Sequence, residues 1–275
     1  GVCNLDAVIL EQFVTPPKAG NGPESGYLSR VNFAGIAEAA GLSTRALNRI
    51  IDLNFSPSKE CRRSNLRHRP VGVGVMGLAD LLAHLRIAWG SRKACLVSRG
   101  VSAAIYFGAM SESAALAKVE GPYETFEGSP ASQGTLQPDL WVKSGHLDPN
   151  WEHEVEVATA GFLKPADWRG LRERCRRGVR NAYVTAYMPT ATTSNIVGVN
   201  ECFEPYTSNV YTRKTLAGDF FIVKRHLLYE LMGLGLWDKK MHLDILAAKG
   251  SVQNISRIPL EVRKRHLTAR ETHQS

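Results

Sequence analysis

The sequence predicts an α/β fold. Short apolar or β-branched runs (1–10, 71–75 and 181–188) alternate with longer stretches of helical periodicity, and clusters of Pro, Gly and Ser separate them. With 275 residues, 44% hydrophobic and 22% charged, the chain is long enough for one large domain or two small ones, each with an ordinary core.

Residues 1–10 read as a strand with Val2, Leu5, Val8 and Ile9 apolar, followed by a Pro/Gly-rich loop over 16–26. Residues 33–53 have helical spacing with an interruption expected near Gly41 to Thr44. The run 71–75 is a short strand that passes into an apolar helix over 78–87, and 98–118 is a second, Ala-rich amphipathic helix. A turn-rich loop follows over 121–134. Residues 168–177 read as helix, 181–188 as strand, and 227–234 and 241–248 as helices. No repeat of fixed period is visible.

Bulk properties exclude some functions. No uninterrupted apolar run approaches bilayer length and no charged-then-apolar leader opens the chain, so no membrane role and a cytoplasmic setting are expected. The five cysteines (Cys3, Cys61, Cys95, Cys175 and Cys202) are odd in number and form no CxxC, which argues against a disulfide framework and a zinc site. The net charge of +8 gathers around Arg62 to Arg69, Arg169 to Arg180 and Arg263 to Arg265. With no aromatic interleaving and no DNA-binding motif, solvated helix faces explain it better than nucleic-acid binding.

The most informative stretch is Pro189-Thr190-Ala191-Thr192-Thr193-Ser194-Asn195, four hydroxyls behind a proline and ahead of the apolar pair Ile196-Val197. Proline suits a helix start, where Ser and Thr cap well. Backbone N–H groups freed at such a start, together with hydroxyls, make an anion cradle. A plain Thr-rich cap is the commoner use of these residues. By contrast, Gly72-Val73-Gly74-Val75-Met76-Gly77 matches GxGxxG but lacks the acidic residue that a dinucleotide site needs about twenty positions later. Tight backbone packing explains those glycines instead.

Around the hydroxyl run stand Gly178-Val179-Arg180-Asn181 upstream and Asn200-Glu201-Cys202-Phe203-Glu204-Pro205-Tyr206-Thr207-Ser208-Asn209-Val210-Tyr211-Thr212-Arg213 downstream. With Val2-Cys3-Asn4-Leu5, the block Arg67 to Asp80, Gly121 to Pro130 with Leu140-Trp141, Leu216 to Phe220, His226-Leu227-Leu228 and Gly235-Leu236-Trp237, this order resembles the large subunit of class I ribonucleotide reductase. The resemblance implies part of that family's ten-stranded α/β barrel. Residues 142–167 fit it poorly and are expected to be a surface insertion, which loops tolerate at little entropic cost.

The reaction that the resemblance implies replaces the ribose 2′-hydroxyl of a ribonucleoside diphosphate with hydrogen. A cysteine thiyl radical takes the 3′-hydrogen, the 2′-hydroxyl leaves as water, and two further cysteines supply two electrons and close into a disulfide. Thiols suit this work because the dithiol–disulfide couple is reversible under cytosolic conditions. Cys3 matches one member of the reducing pair, and Thr190, Ala191, Thr192, Thr193 and Ser194 match the loop that holds the substrate diphosphate. Cys61, Cys95, Cys175 and Cys202 match no catalytic cysteine, and Glu204 and Tyr206 receive no chemical role. Many relatives carry Gln at Met76 and Ser at Thr192.

The implied partners are the reductase small subunit, thioredoxin or glutaredoxin, and a second large subunit in a homodimer. No cofactor is expected on this segment itself: the family's metal/tyrosyl radical belongs to the small subunit, and its ATP and dNTP effectors bind elsewhere. The thiyl cysteine's NLCxE segment, the partner of Cys3 and the radical-carrying tyrosine pair are not found, so a fragment truncated at both ends and inactive alone is expected. Two rivals remain: a non-catalytic homologue acting as a protein-binding module, and a basic nucleic-acid-binding module.

Overall fold

Strand β2 (Gly72–Met76) is buried along its whole length, as the middle strand of a parallel arrangement must be. In the computed structural model, which describes residue 2 and residues 4–16, 26–215 and 218–272, β2 pairs in parallel with β1 (Leu5–Ile9), in register from Leu5 opposite Gly72 to Ile9 opposite Met76. On its other side lies the extended segment 183–186. There the Val71 N–H donates to the Tyr183 carbonyl, the Val73 N–H to the Val184 carbonyl and the Ala186 N–H to the Val73 carbonyl.

The expected strand over 181–188 is thus a single parallel bridge, Val73 to Thr185, within extended backbone. Its outer edge carries no ladder among the described residues, and Tyr183 there is 71% exposed. The glycines of the GxGxxG run do what packing requires. A Cβ on Gly72 would stand 2.7 Å from the Ala186 Cβ, and one on Gly74 would stand 2.5 Å from the Ala186 carbonyl oxygen. Gly77, at φ +79°, turns the chain from β2 into helix α3 (Leu78–His84).

Two long helices cover the sheet. Helix α1 (Phe33–Leu53) begins at Asn32, whose side chain accepts the Gly35 N–H, and runs without the expected break near Gly41. Thr44 lies in its buried stripe and returns its hydroxyl to the Ala40 carbonyl at 2.9 Å, so a polar residue stays within the helix at no unsatisfied cost. Helix α2 (Lys59–His68) then leads to Arg69, in the left-handed region at φ +44°. The buried Arg69 pairs with Asp52 through two 2.8 Å hydrogen bonds, and Asn48 and Asn181 share its surroundings.

Helix α4 (Arg92–Glu120) exceeds the 98–118 expected. It is long and apolar enough to cross a bilayer by length and composition alone, a property that a search for uninterrupted apolar runs misses. Half of its most apolar stretch is buried, and the helix packs on α1, β2 and the later helices α6 (Trp151–Ala158) and α7 (Pro165–Arg176). Core packing accounts for its apolarity.

The expectation of a surface insertion over 142–167 is corrected. Trp151, Val155 and Leu163 belong to the main core, and Trp151 meets the fully buried Trp168 edge-on at 4.8 Å between ring centroids. Short helix α5 (Gln137–Lys143) precedes this segment.

After helix α8 (Thr193–Val197), an antiparallel hairpin of β3 (Val210–Thr215) and β4 (Gly218–Val223) opens a second module, not foreseen from the sequence. With α9 (Arg225–Gly233), α10 (Lys239–Ala247) and α11 (Leu260–Arg265), it encloses a separate core of Val210, Leu227, Leu231, Met241, Ile245, Val252 and Ile258. Within it Glu230 pairs with Arg265 and, at 2.9 Å, with the buried His266. The architecture is mixed α/β, with one parallel and one antiparallel sheet and no closed barrel among the described residues.

Several arginines of the basic clusters are held in ion pairs within the fold. Arg69 pairs with Asp52, Arg172 with Asp139 and Glu152, Arg180 with Glu120, and Arg265 with Glu230.

Gly74→Ala forces its methyl against the Ala186 carbonyl and destabilises the protein by about 1–3 kcal/mol, the usual cost of overpacking, read as a lower midpoint in urea. Glu230 is held at about 2: burial alone would raise it, but the hydrogen bonds and charges of His266 and Arg265 outweigh burial. A carboxylate so depressed contributes stability that is fully present above its ordinary 4.5 and lost as pH falls through about 2. Acid titration followed by hydrogen exchange should therefore open the second module in that window. Glu230→Ala, which strands Arg265 and His266, should cost about 3–5 kcal/mol at neutral pH.

Candidate functional site

The hydroxyl turn leaves the sheet directly. Segment 183–186 lies against β2, and the chain continues through Pro189 into Thr190 to Ser194. Its residues divide by exposure. Thr190 and Ser194 are buried, at 3% and 0%, whereas Ala191, Thr192 and Thr193 face solvent.

The capping expected of the Ser/Thr run is not made. Thr192 stands at the start of α8 in the helical region, and its side chain caps no N–H. The turn is closed instead by main chain, with the Ser194 N–H on the Thr190 carbonyl at 2.8 Å and the Gly198 and Val199 N–H groups both on the Ser194 carbonyl. Among the described residues, the N–H groups of Ala191, Thr192 and Thr193 donate to no protein acceptor. Three successive free donors and two exposed hydroxyls therefore line the outer side of the turn. The Ser194 hydroxyl is buried without a partner among the described residues.

Beneath the turn lies a network that sequence reading left unassigned. The Thr190 Oγ1 accepts the Cys202 N–H at 2.8 Å. Cys202 adopts φ +39°, unusual for a non-glycine residue, and its carbonyl accepts the Leu78 N–H at 3.4 Å. Two residues earlier, the Asn200 carbonyl accepts the Gly77 N–H at 3.0 Å, and the Asn200 N–H donates to Asp80 Oδ2 at 2.6 Å. Asp80, on the first turn of α3, is 3% exposed and accepts the Tyr206 hydroxyl on Oδ1 at 3.0 Å.

From the second module, Lys224 donates to Asn200 Oδ1 at 3.0 Å and lies 4.7 Å from the Tyr206 ring centroid. Burial pushes the Lys224 ammonium down and the Tyr206 phenol well up, the latter with help from the Asp80 charge and hydrogen bond. His226 Nε2 lies 3.2 Å from Glu11 Oε1 and 3.8 Å from Asp80 Oδ1, and Arg225 also pairs with Glu11. Burial would raise the Glu11 carboxyl, but the close approach of His226 and the His226, Arg225 and His84 charges bring it below its ordinary value.

Glu11, Asp80 and His226 are the described residues whose spacing most suits a metal ion, with ligand atoms all within 4.8 Å of one another. Their present partners account for them: both Asp80 oxygens accept hydrogen bonds, and Glu11 is paired with two bases.

Cys3, the sequence's candidate redox thiol, lies outside the described residues. The other cysteines are free. Burial pushes the Cys175 thiol up to about 12 and also raises that of Cys202, so neither is a ready nucleophile. The residues missed at sequence level, Glu11, Asp80, Asn200, Lys224 and His226, carry no motif of their own. The signal for Asp80, Asn200 and His226 was the long matching block from Asn200 to Arg213 and its neighbours at 67–80 and 226–228, read there as resemblance rather than as contact; Glu11 and Lys224 lie outside every matching block.

Comparison with known proteins finds a match along the entire chain. The profile of the family described as "Ribonucleotide reductase, barrel domain" matches residues 1–275. A ribonucleoside-diphosphate reductase large subunit of African swine fever virus is 48% identical over 274 residues, covering 100% of this chain and 34% of that protein. Similar proteins are the large chain of Encephalitozoon cuniculi, 43% identical over 98% of this chain, and the large subunit of Caenorhabditis elegans, 40% identical over 99%. The chain spans about a third of the length of these relatives. By the match over its full length, the chain belongs to the ribonucleotide reductase barrel-domain family.

Proposed function

We propose that this chain is the segment of a ribonucleoside-diphosphate reductase large subunit that grips the substrate's diphosphate and carries one thiol of the reducing pair. The observation that carries the reading is the turn at 190–194, where the N–H groups of Ala191, Thr192 and Thr193 have no acceptor among the described residues and stand beside two exposed hydroxyls. Neutral donors in a fixed row hold a polyanion without a metal, because each forms a charge-assisted hydrogen bond at no reorganisation cost. Thr190 and Ser194 sit inside the turn and shape it from below.

On this reading the three parallel segments β1, β2 and 183–186 are one stretch of a ten-stranded α/β barrel closed by chain outside this segment. Cys3 precedes β1 and would give up an electron and a proton as it closes a disulfide with a second cysteine. The hydrogen-abstracting radical is generated with the small subunit's metal/tyrosyl radical, and ATP and dNTP effectors act at sites elsewhere in the large subunit. The partners are the small subunit, thioredoxin or glutaredoxin, and a second large subunit. A cytosolic setting goes with free thiols at Cys61, Cys95, Cys175 and Cys202.

Thr192→Val and Thr193→Val remove exposed hydroxyls while keeping their shape. In the full-length large subunit with its small subunit, each should raise the KM for a ribonucleoside diphosphate roughly tenfold, the value of one hydrogen bond to a charged group, with the melting temperature unchanged. Unchanged KM values in both would remove the diphosphate assignment. The 275-residue segment alone, given small subunit and thioredoxin, should produce no deoxyribonucleotide, since its relatives hold about two thirds of their length outside it.

A further inference from the structure

The hydroxyl turn is held at both ends by the same short segment. At its start, the Thr190 hydroxyl accepts the Cys202 N–H. At its end, the Ser194 carbonyl accepts the Val199 N–H. Residues 199–202 therefore set the shape of the turn, and something must fix them in turn. Main-chain bonds from Gly77 and Leu78 fix two of their carbonyls, those of Asn200 and Cys202. Within 199–202, the sole side chain elsewhere in the fold that accepts one of their N–H groups, among the described residues, besides Thr190 is Asp80, which takes that of Asn200 at 2.6 Å.

We propose that Asp80 is a positioning residue for the hydroxyl turn, passing its hold through Asn200 and Cys202 to Thr190; the proposal rests on the turn being the diphosphate site.

Asp80 is built for this. It sits on the first turn of α3, immediately after β2, so it is referred to the rigid middle of the sheet. At 3% exposure it cannot reach substrate itself. Its second oxygen is occupied by the Tyr206 hydroxyl, which fixes the carboxylate plane and so aims Oδ2 at Asn200. The bond to Asn200 is charge-assisted and buried, the class that holds geometry most firmly. Both oxygens accept hydrogen bonds from these donors, which holds the carboxylate in one orientation.

The test is a double-mutant cycle in the full-length large subunit with its small subunit, reading KM and kcat for a ribonucleoside diphosphate. Asp80→Asn keeps the size of the side chain but loses its charge and one acceptor. It should raise KM roughly tenfold with kcat changed less than about twofold, because a displaced turn weakens ground-state and transition-state binding together. Thr190→Val cuts the chain of contacts at its far end and should itself raise KM. In that background Asp80→Asn should add less than about twofold, since the two act in series.

Multiplying KM effects, or a lowered melting temperature with KM unchanged, would overturn the proposal. If Asp80→Asn does not fold, Tyr206→Phe takes its place. It should raise KM about threefold in the wild-type background and not in Thr190→Val, and an unchanged KM in the former would be equally decisive. Failure of the diphosphate reading has another signature: the exposed-hydroxyl variants Thr192→Val and Thr193→Val would leave KM where it was.

Discussion

One buried carboxylate ties the molecule together. Asp80 belongs to the first core by its place on α3, yet its two hydrogen-bond donors, Asn200 and Tyr206, come from the segment that leads into the second. Around it Glu11 reaches from the end of β1 to Arg225 and His226 at the start of α9. The two apolar clusters are thus joined by a polar seam. Such a seam differs from an apolar one because each group demands a partner in one geometry, and a partial set costs more than none. The hydroxyl turn lies on this seam, so its shape is set where tolerance for misplacement is smallest.

The sheet supplies the second constraint. Segment 183–186 can lie on β2 only because Gly72 and Gly74 present no side chain toward Ala186. The same glycines that imitate a nucleotide-binding fingerprint thereby bring the backbone leading to Pro189 against the most buried strand. Close approach and a rigid support come from one substitution pattern. The tryptophan pair Trp151 and Trp168, with Phe107 of α4 edge-on to Trp168, packs the core against α4.

Much of this was legible in the sequence, and the reasons are specific. The α/β class, a strand within 1–10 (seen at 5–9), the run at 71–75 (seen at 72–76) and the helices over 33–53 and 168–177 (the latter seen at 165–176) follow from periodicity. The break expected in α1 did not occur because Thr44 satisfies its hydroxyl within the helix. The stretch 142–167 was expected to be a surface insertion because it fits the family resemblance poorly, yet tertiary contacts bury Trp151 and Leu163. At the site, the turn was found by its hydroxyls. Its division into buried Thr190 and Ser194 and exposed Thr192 and Thr193 depends on Cys202 and Val199, contacts that no local pattern encodes. Asp80, Asn200 and His226 escaped notice because their meaning lies in pairing across 120 or more residues of chain.

That separation also shapes how the protein is made. The Asn200 to Asp80 bond spans 120 residues, Tyr206 to Asp80 spans 126, and Arg225 to Glu11 spans 214. Closing such loops costs entropy before any contact returns it, and parallel pairing of β1 with β2 adds to the delay. The hydroxyl turn therefore acquires its form late, after Asp80 has met Asn200 and Glu11 has met Arg225. A nascent chain emerging from the ribosome holds the hydroxyls long before it holds the pocket.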